Sequence, residues 1–287
     1  MINWIKINRL ISALLFLVML PLWNVLAVAP SPDVTIKWKE QGIYKKQMEK
    51  FIQAKLNGLC SPSEQTPKNS TQNLLATSEI TDTINILVLC VDFSDHKFSG
   101  TTYGQSVIGK SEQFDTLLFS DRRFDFPYNE TGSMTEYYLE NSYGKFYIKG
   151  KTYGWLQAPE PYTYYVGDDN GLSNSRILAR QAVQIASGNP YWNIDFSDYD
   201  NDGDNIIDGL IIIHAGPGRE TVADTTFPAI WSHKFILDQT LTLDGVEISD
   251  YVMAPEEIID GKGARLSPIG VFCHEFGHIL GLPDLYD

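Results

Sequence analysis

The sequence predicts an α+β fold in which a mixed β-sheet precedes a terminal helix. Apolar, β-branched runs at residues 84–93 and 206–214 are typical of buried strands. Polar and apolar residues alternate with a helical period at residues 172–187. The last segment combines a helix start signal, a stripe of apolar residues and a glycine that can end a helix. It therefore predicts that the last element of the chain is a helix.

The remaining elements follow in chain order. Residues 33–56 are rich in Lys, Glu and Gln, with spaced apolar residues, and predict one or two helices broken near Gly42. Ser133 and Glu136 form a capping box, which predicts a helix to about Tyr143. Further strands are expected at residues 145–156, 230–237 and 246–253.

The terminal helix has clear start signals. Ser267 is a natural N-cap and Pro268 suits the first helical position. The apolar positions are Phe272, Phe276, Ile279 and Leu280. We therefore expect this helix to be buried on one side and to face a cleft on the other.

His274, Glu275 and His278 in this helix make an H-E-x-x-H motif. Positions i and i+4 share a helix face one turn apart, so the two imidazoles can bind one Zn²⁺. Glu275 follows the first ligand and can act as general base on the attacking water. The alternative is an amphipathic helix with two hydrogen-bonded surface histidines.

Beyond His278, the motif extends to H-E-x-x-H-x-x-G-x-x-D. Gly281 can end the helix in a left-handed turn, and Pro283 prevents the helix from resuming. The chain can then double back and present Asp284 as a third zinc ligand. This leaves one coordination position open, as in catalytic zinc sites.

A second cation site is predicted in an acidic segment of the form D-x-D-x-D-G-D-x-x-x-D. Its carboxylates belong to Asp198, Asp200, Asp202, Asp204 and Asp208. Oxygen donors around a tight turn suit Ca²⁺, and the carboxylates would repel one another without a cation. Position twelve of the loop is Gly209 rather than the Glu of an EF-hand, and the alternative is a solvated acidic turn.

Five segments of the chain resemble the immune inhibitor A-like family of secreted zinc metallopeptidases. They are residues 86–95, 132–146, 199–209 and 213–220 and the terminal motif. The resemblance implies a zincin fold, peptide-bond hydrolysis, bound zinc and calcium, and synthesis as a zymogen. It also implies His274, His278 and Asp284 as zinc ligands and Glu275 as the catalytic base.

The composition of the chain limits the classes of binding partner that can be expected. The chain has 287 residues and a net charge of −14, which argues against nucleic acid or anionic membrane as a partner. Lys6 and Arg9 precede an apolar core at residues 10–20 and an A-x-A site at 27–29. Residues 1–29 are therefore expected to be a signal peptide of a secreted protein, although an uncleaved anchor is the alternative.

A short helical propeptide and its linker are expected at residues 30–82, before a metallopeptidase domain at 83–287. The alternative is a helical lobe packed permanently on the domain. The chain contains three cysteines, which is too few for a disulfide framework. Cys90 and Cys273 are expected to be buried, whereas Cys60 in the linker is a candidate, though less favoured, thiolate switch.

The motifs together predict a secreted zinc endopeptidase precursor that acts on proteins or peptides. In zincins of this type a methionine turn and part of the specificity pocket follow the zinc motif, so we expect the C-terminal subdomain to be missing here. The alternative is a calcium-stabilised secreted binding or adhesion protein with a non-catalytic zincin domain. The intact Glu275 argues against that alternative. The sequence does not indicate an oligomeric state.

Overall fold

The computed structural model describes residues 30–49, 82–99, 102–103, 106–107, 110–121, 132–260 and 263–282. The helices are α1 (Pro32–Glu40), α2 (Ser111–Phe119), α3 (Met134–Asn141), α4 (Tyr162–Val166), α5 (Ser175–Ser187) and α6 (Ile269–Ile279). The strands are β1 (Asp82–Asp92), β2 (Thr102–Tyr103), β3 (Ser106–Val107), β4 (Phe146–Gln157), β5 (Leu210–Pro217), β6 (His233–Leu243), β7 (Val246–Asp260) and β8 (Gly263–Leu266).

Six strands form one mixed sheet, as expected for the fold class. Four of them, in the order β4-β1-β5-β7, are parallel, and β6 pairs antiparallel with the first part of β7. Strand β8 pairs antiparallel with the end of β7. Short β2 and β3 form a separate hairpin.

Both faces of this sheet are buried, and strand β1 shows how. Leu87, Leu89 and Val91 enter one hydrophobic core, together with the apolar side of α5. Ile86 and Val88 point the other way, into a core shared with α2, α3 and α6. Because side chains alternate along a strand, one continuous apolar run supplies both cores.

Helix α6 approaches the sheet closely over a glycine. A Cβ on Gly209 would lie 2.5 Å from Ile86 Cγ2 and 3.2 Å from Phe276 Cε2. The missing side chain therefore lets Phe276 of α6 rest against the start of β5. This contact sets the height of the helix above the sheet.

Most predicted elements are confirmed, with shifted ends. The strand predicted at 206–214 begins at Leu210 and runs to Pro217, because Ile206 forms only an isolated bridge to Glu247. The strand predicted at 246–253 continues to Asp260 through its pairing with β8. Helices α2 and α4 and strands β2, β3 and β8 were not predicted.

The N-terminal helix prediction is confirmed as far as residue 49. Helix α1 ends at Glu40, Gly42 has a φ of +69°, and residues 44–49 are again helical. The predicted signal peptide at 1–29 lies outside the described residues, as does the linker up to residue 81. No helix in the described ranges is long and apolar enough to cross a membrane.

Replacing Gly209 with Ala should destabilise the domain by about 1–3 kcal/mol, because the new methyl group collides with Ile86 and Phe276. Urea unfolding measures the change. Gly270→Ala is the matched control, since nothing lies within 4 Å of a Cβ there and Ala favours a helix. Equal stability of Gly209→Ala and the unaltered protein would contradict the close approach.

Candidate metal centre

The start of helix α6 differs from the prediction by one residue. Pro268, not Ser267, is the N-cap, and no side chain caps the helix. Ser267 is buried, and its N–H donates to the Glu256 carbonyl of β7 at 2.8 Å. The N-cap prediction was wrong because the main chain of Ser267 is bonded to β7 and has not yet entered the helix.

The end of the helix matches the prediction. Gly281 has a φ of +83°, in the left-handed region. Its N–H donates to the His278 carbonyl at 3.1 Å, and the Leu282 N–H donates to the Gly277 carbonyl at 2.9 Å. This pair of bonds is a Schellman motif, which ends the helix directly after the second histidine.

The two motif histidines face each other across one turn. His274 Nε2 and His278 Nε2 lie 3.2 Å apart, with the rings at 87°. Nδ1 of His278 lies 2.8 Å from the Leu282 carbonyl, so this nitrogen carries the proton and Nε2 presents a lone pair. Two imidazole nitrogens on one tetrahedral Zn²⁺ are about 3.3 Å apart, so this donor pair fits the ion.

Glu275 joins this pair from the buried side. Its side chain is completely buried, and a carboxylate oxygen lies within 4.8 Å of a nitrogen from each histidine. His278 is also buried, whereas His274 is partly exposed. Asp284 lies outside the described residues, so its role as third ligand stays a prediction.

Sequence reasoning missed Tyr138, a residue of α3 that supports the histidine turn. Its hydroxyl donates to the Cys273 carbonyl at 2.7 Å and would lie 3.5 Å from a Cβ on Gly277. Cys273 precedes one histidine and Gly277 precedes the other. Burial raises the pKa of the Tyr138 hydroxyl, which keeps it a donor. The capping box predicted α3, but no sequence signal shows which helix it contacts.

The other described histidines do not join this centre. His214 is buried beside Tyr162, its Nδ1 lies 3.0 Å from the Ala215 carbonyl, and burial lowers its pKa to about 3. His233 is buried against Ser175 and Tyr251. These contacts hold both imidazoles in the core, which indicates structural roles for His214 and His233.

The acidic segment brings together three of the five predicted carboxylates. Oxygens of Asp200, Asp202 and Asp208 lie within 4.8 Å of one another. Asp208 is buried, and its Oδ1 has no hydrogen-bond partner, whereas Oδ2 accepts from the Asn201 N–H at 2.6 Å. Burial, with smaller contributions from neighbouring carboxylates, raises the pKa of Asp208 to about 6.

The structure does not place the other two predicted calcium ligands in this group. Asp198 is exposed. Asp204 Oδ1 accepts the Ile206 N–H at 2.9 Å. The sequence predicted that all five carboxylates would share one site. Asp198 instead lies in the short helical turn Phe196–Tyr199, and Asp204 is bonded within its own turn.

Cys90 and Cys273 are buried free thiols, as expected, and burial raises the pKa of each. Neither is exposed enough, nor acidic enough, to serve as a reactive thiolate. Cys60 lies outside the described residues, so its proposed switch role stays a prediction.

Comparison with known proteins identifies the family. The sequence model of the family described as "Immune inhibitor A peptidase M6, catalytic domain" matches residues 71–287 of this chain. Pre-pro-metalloprotease PrtV of Vibrio cholerae serotype O1 is 31% identical over 241 residues, which cover 71% of this chain and 25% of that protein. Immune inhibitor A of Bacillus thuringiensis subsp. alesti is 32% identical over 239 residues, covering 70% of this chain and 33% of that protein.

The chain therefore spans between 25% and 33% of the length of these curated relatives. The matched region includes the whole sheet, helix α6 and the histidine pair. A metallopeptidase family implies a metal, in agreement with the donor set at the end of α6. The chain belongs to the immune inhibitor A peptidase M6 family and carries the region matched by its catalytic domain.

Proposed function

We propose that this domain is a zinc-dependent endopeptidase that hydrolyses peptide bonds of protein or peptide substrates. The observation that carries the proposal is the histidine pair, with Nε2 atoms 3.2 Å apart and the buried Glu275 beside them. The description of the family as a peptidase and the name of the Vibrio cholerae relative, a metalloprotease, support proteolysis.

The proposed zinc ligands are His274, His278 and Asp284. The hydrogen bond from His278 Nδ1 to the Leu282 carbonyl supports this by fixing the tautomer that coordinates through Nε2. The Schellman turn at Gly281 supports the return of the chain towards Asp284. Bound zinc would polarise the scissile carbonyl and lower the pKa of a water molecule to about 7.

Glu275 is the proposed general base. It lies on the buried side of the histidine pair, where a carboxylate can accept a proton from the attacking water. The same group can then deliver that proton to the leaving amine. One residue thus performs both proton transfers without leaving the site.

Tyr138 is proposed to position the ligands. Its hydroxyl is bonded to the main chain directly before His274 and lies beside the residue before His278. The ring packs edge-on against Phe276. Helix α3 therefore restrains the turn that sets the spacing of the two imidazoles.

Export and synthesis as a precursor are part of the proposal, with a signal peptide at residues 1–29 and a propeptide with its linker at 30–82. The sequence pattern at residues 6–29 supports export. The relative from Vibrio cholerae is named a pre-pro-metalloprotease, which supports synthesis as a precursor.

We further propose that Asp200, Asp202 and Asp208 bind Ca²⁺. Support comes from their mutual approach within 4.8 Å and from the buried Asp208 Oδ1, which lacks a hydrogen-bond partner. The raised pKa of Asp208 indicates a carboxylate that is costly to ionise without a cation.

Glu275→Gln should retain zinc at near one-to-one stoichiometry and lose peptide hydrolysis by about 10²–10⁴-fold or more, because the base is removed and the ligands remain. Zinc analysis and cleavage of a casein-type substrate measure both. His278→Ala is the contrast and should lose zinc. Activity of Glu275→Gln within a few-fold of the unaltered protein would favour a non-catalytic binding domain.

Tyr138→Phe should weaken zinc binding by about 10-fold or more, because it keeps the ring and removes the bond that orients the ligand turn. Competition with a zinc chelator gives the dissociation constant. The exposed neighbour Tyr137 provides the control, since Tyr137→Phe should bind zinc normally. Unchanged zinc affinity of Tyr138→Phe would reject the positioning role.

Asp208→Asn should abolish the rise in Tm that Ca²⁺ gives. The folded-state pKa of Asp208 is raised from 3.8 to about 6, so its contribution to stability is present below about pH 4 and lost as pH rises through 6. Without calcium at pH 7, the Asn variant should therefore melt no lower than the unaltered protein.

Calorimetry with and without Ca²⁺ tests the calcium proposal. Asp198→Asn is the matched control and should keep the calcium response, because Asp198 is exposed and outside the cluster. An equal calcium response of Asp208→Asn and the unaltered protein would rule out this site.

A further inference from the structure

We propose that residues 31–48 are a docking segment that stays bound to the catalytic domain after the chain is cut between residues 50 and 81. Its receptor is the surface formed by Leu172 and residues 219–231. This inference rests on the proposed function in one respect, since it takes the linker of the proposed precursor as the place where the chain is cut. None of its residues belongs to α6, so it does not depend on zinc.

The anchor is a single aromatic side chain. Trp38 is completely buried, and its ring centroid lies 6.3 Å from that of Trp231. Its indole N–H donates to the Ala223 carbonyl at 2.8 Å. Val34, one turn earlier, is also buried and joins the same cluster with Leu172. A buried indole with its N–H paired is the kind of side chain that dominates interface energies.

The receptor is held in shape by its own bonds. Arg219 is buried, and its guanidinium donates to the carbonyls of Val222, Asp224 and Phe227. Ser232 donates to the buried Glu220 carboxylate through its hydroxyl at 2.6 Å. All of these bonds join residues of the domain, so they do not require α1.

Residues 219 and 220 end the segment 213–220 that the zinc chemistry leaves unused. Here they face the docked helix. The Arg219 guanidinium lies 5.9 Å from the Trp38 ring centroid, within cation–π range. The Glu220 carbonyl accepts the Ser31 N–H at 2.8 Å. The receptor thus recognises both the start of the helix and its aromatic anchor.

The docked segment carries its own helix signals. The Ser31 side chain accepts from the Val34 N–H, Pro32 occupies the first turn, and Asp33 complements the helix dipole. A helix of nine residues is nevertheless marginal in water. Its local signals lower the cost of ordering on the receptor, and Trp38 supplies the contact that makes it persist.

Two consequences follow. A cut in the linker removes the covalent connection but none of the contacts around Trp38, so cleavage alone does not release the segment. In addition, His274 is partly exposed with residues 31–49 in place. Docking of this segment is therefore separate from any masking of the metal site.

The test uses the whole chain with a site-specific protease sequence replacing residues 64–70. After complete cutting, the N-terminal fragment should elute with the domain in one-to-one ratio on gel filtration. Trp38→Ala should raise its apparent dissociation constant about a hundredfold or more. Trp38→Phe, which keeps a ring and loses the indole N–H, should raise it about 2- to 10-fold.

Ile36→Ala is the matched control, because Ile36 lies on the same helix and is 52% exposed. This variant should remain bound. Release of the unaltered fragment from a monodisperse domain would overturn the proposal, as would equal release by Ile36→Ala and Trp38→Ala. Circular dichroism of each uncut variant establishes whether the domain is folded. If Trp38→Ala does not fold, the dissociation constant of Trp38→Phe tests the proposal instead. Failure of zinc binding or proteolysis would leave these outcomes unchanged.

Discussion

The packing of helix α6 on the sheet is the constraint on which the candidate site depends. Phe272 and Phe276 are completely buried in the core that α6 shares with β1 and β5. Their burial fixes the rotation of the helix about its axis, since turning it would expose two aromatic rings to water. With that rotation fixed, the Nε2 atoms of His274 and His278 meet on one side of the turn.

The distance of α6 from the sheet and the residue at which it ends also determine where the two histidines lie. Gly209 lets Phe276 approach the strand, and the Schellman turn at Gly281 stops the helix where the Leu282 carbonyl can accept from His278. Tyr138 adds a restraint from α3. Each contact acts on the main chain or on a buried ring, so the imidazoles are oriented by groups that do not themselves coordinate metal. Such support restricts the motion of the two imidazoles and favours tight metal binding.

The sequence was most informative where a feature is local. The capping box at Ser133, the glycine stop at Gly281 and the histidine spacing depend on neighbours within a few residues, and the structure confirms all three. The contact between Tyr138 and Cys273 spans 135 positions, so no local pattern could predict it. The same is true of β8, whose short segment becomes a strand only because the end of β7 is available to pair with it.

In the acidic segment, the spacing of the residues was a poor guide to which carboxylates meet, because hydrogen bonds within the turn direct the side chains. The spacing of the acidic residues predicted five converging carboxylates, but Asp204 accepts the Ile206 N–H instead. Asn201 ties this turn to the sheet, because its side chain accepts from the Asn85 N–H at 2.7 Å. Asp208 then leads directly into Gly209, the residue on which Phe276 rests. A cation that orders this turn would therefore also restrain the start of β5, against which α6 packs. The proposed calcium and zinc sites are thus linked through a short run of backbone.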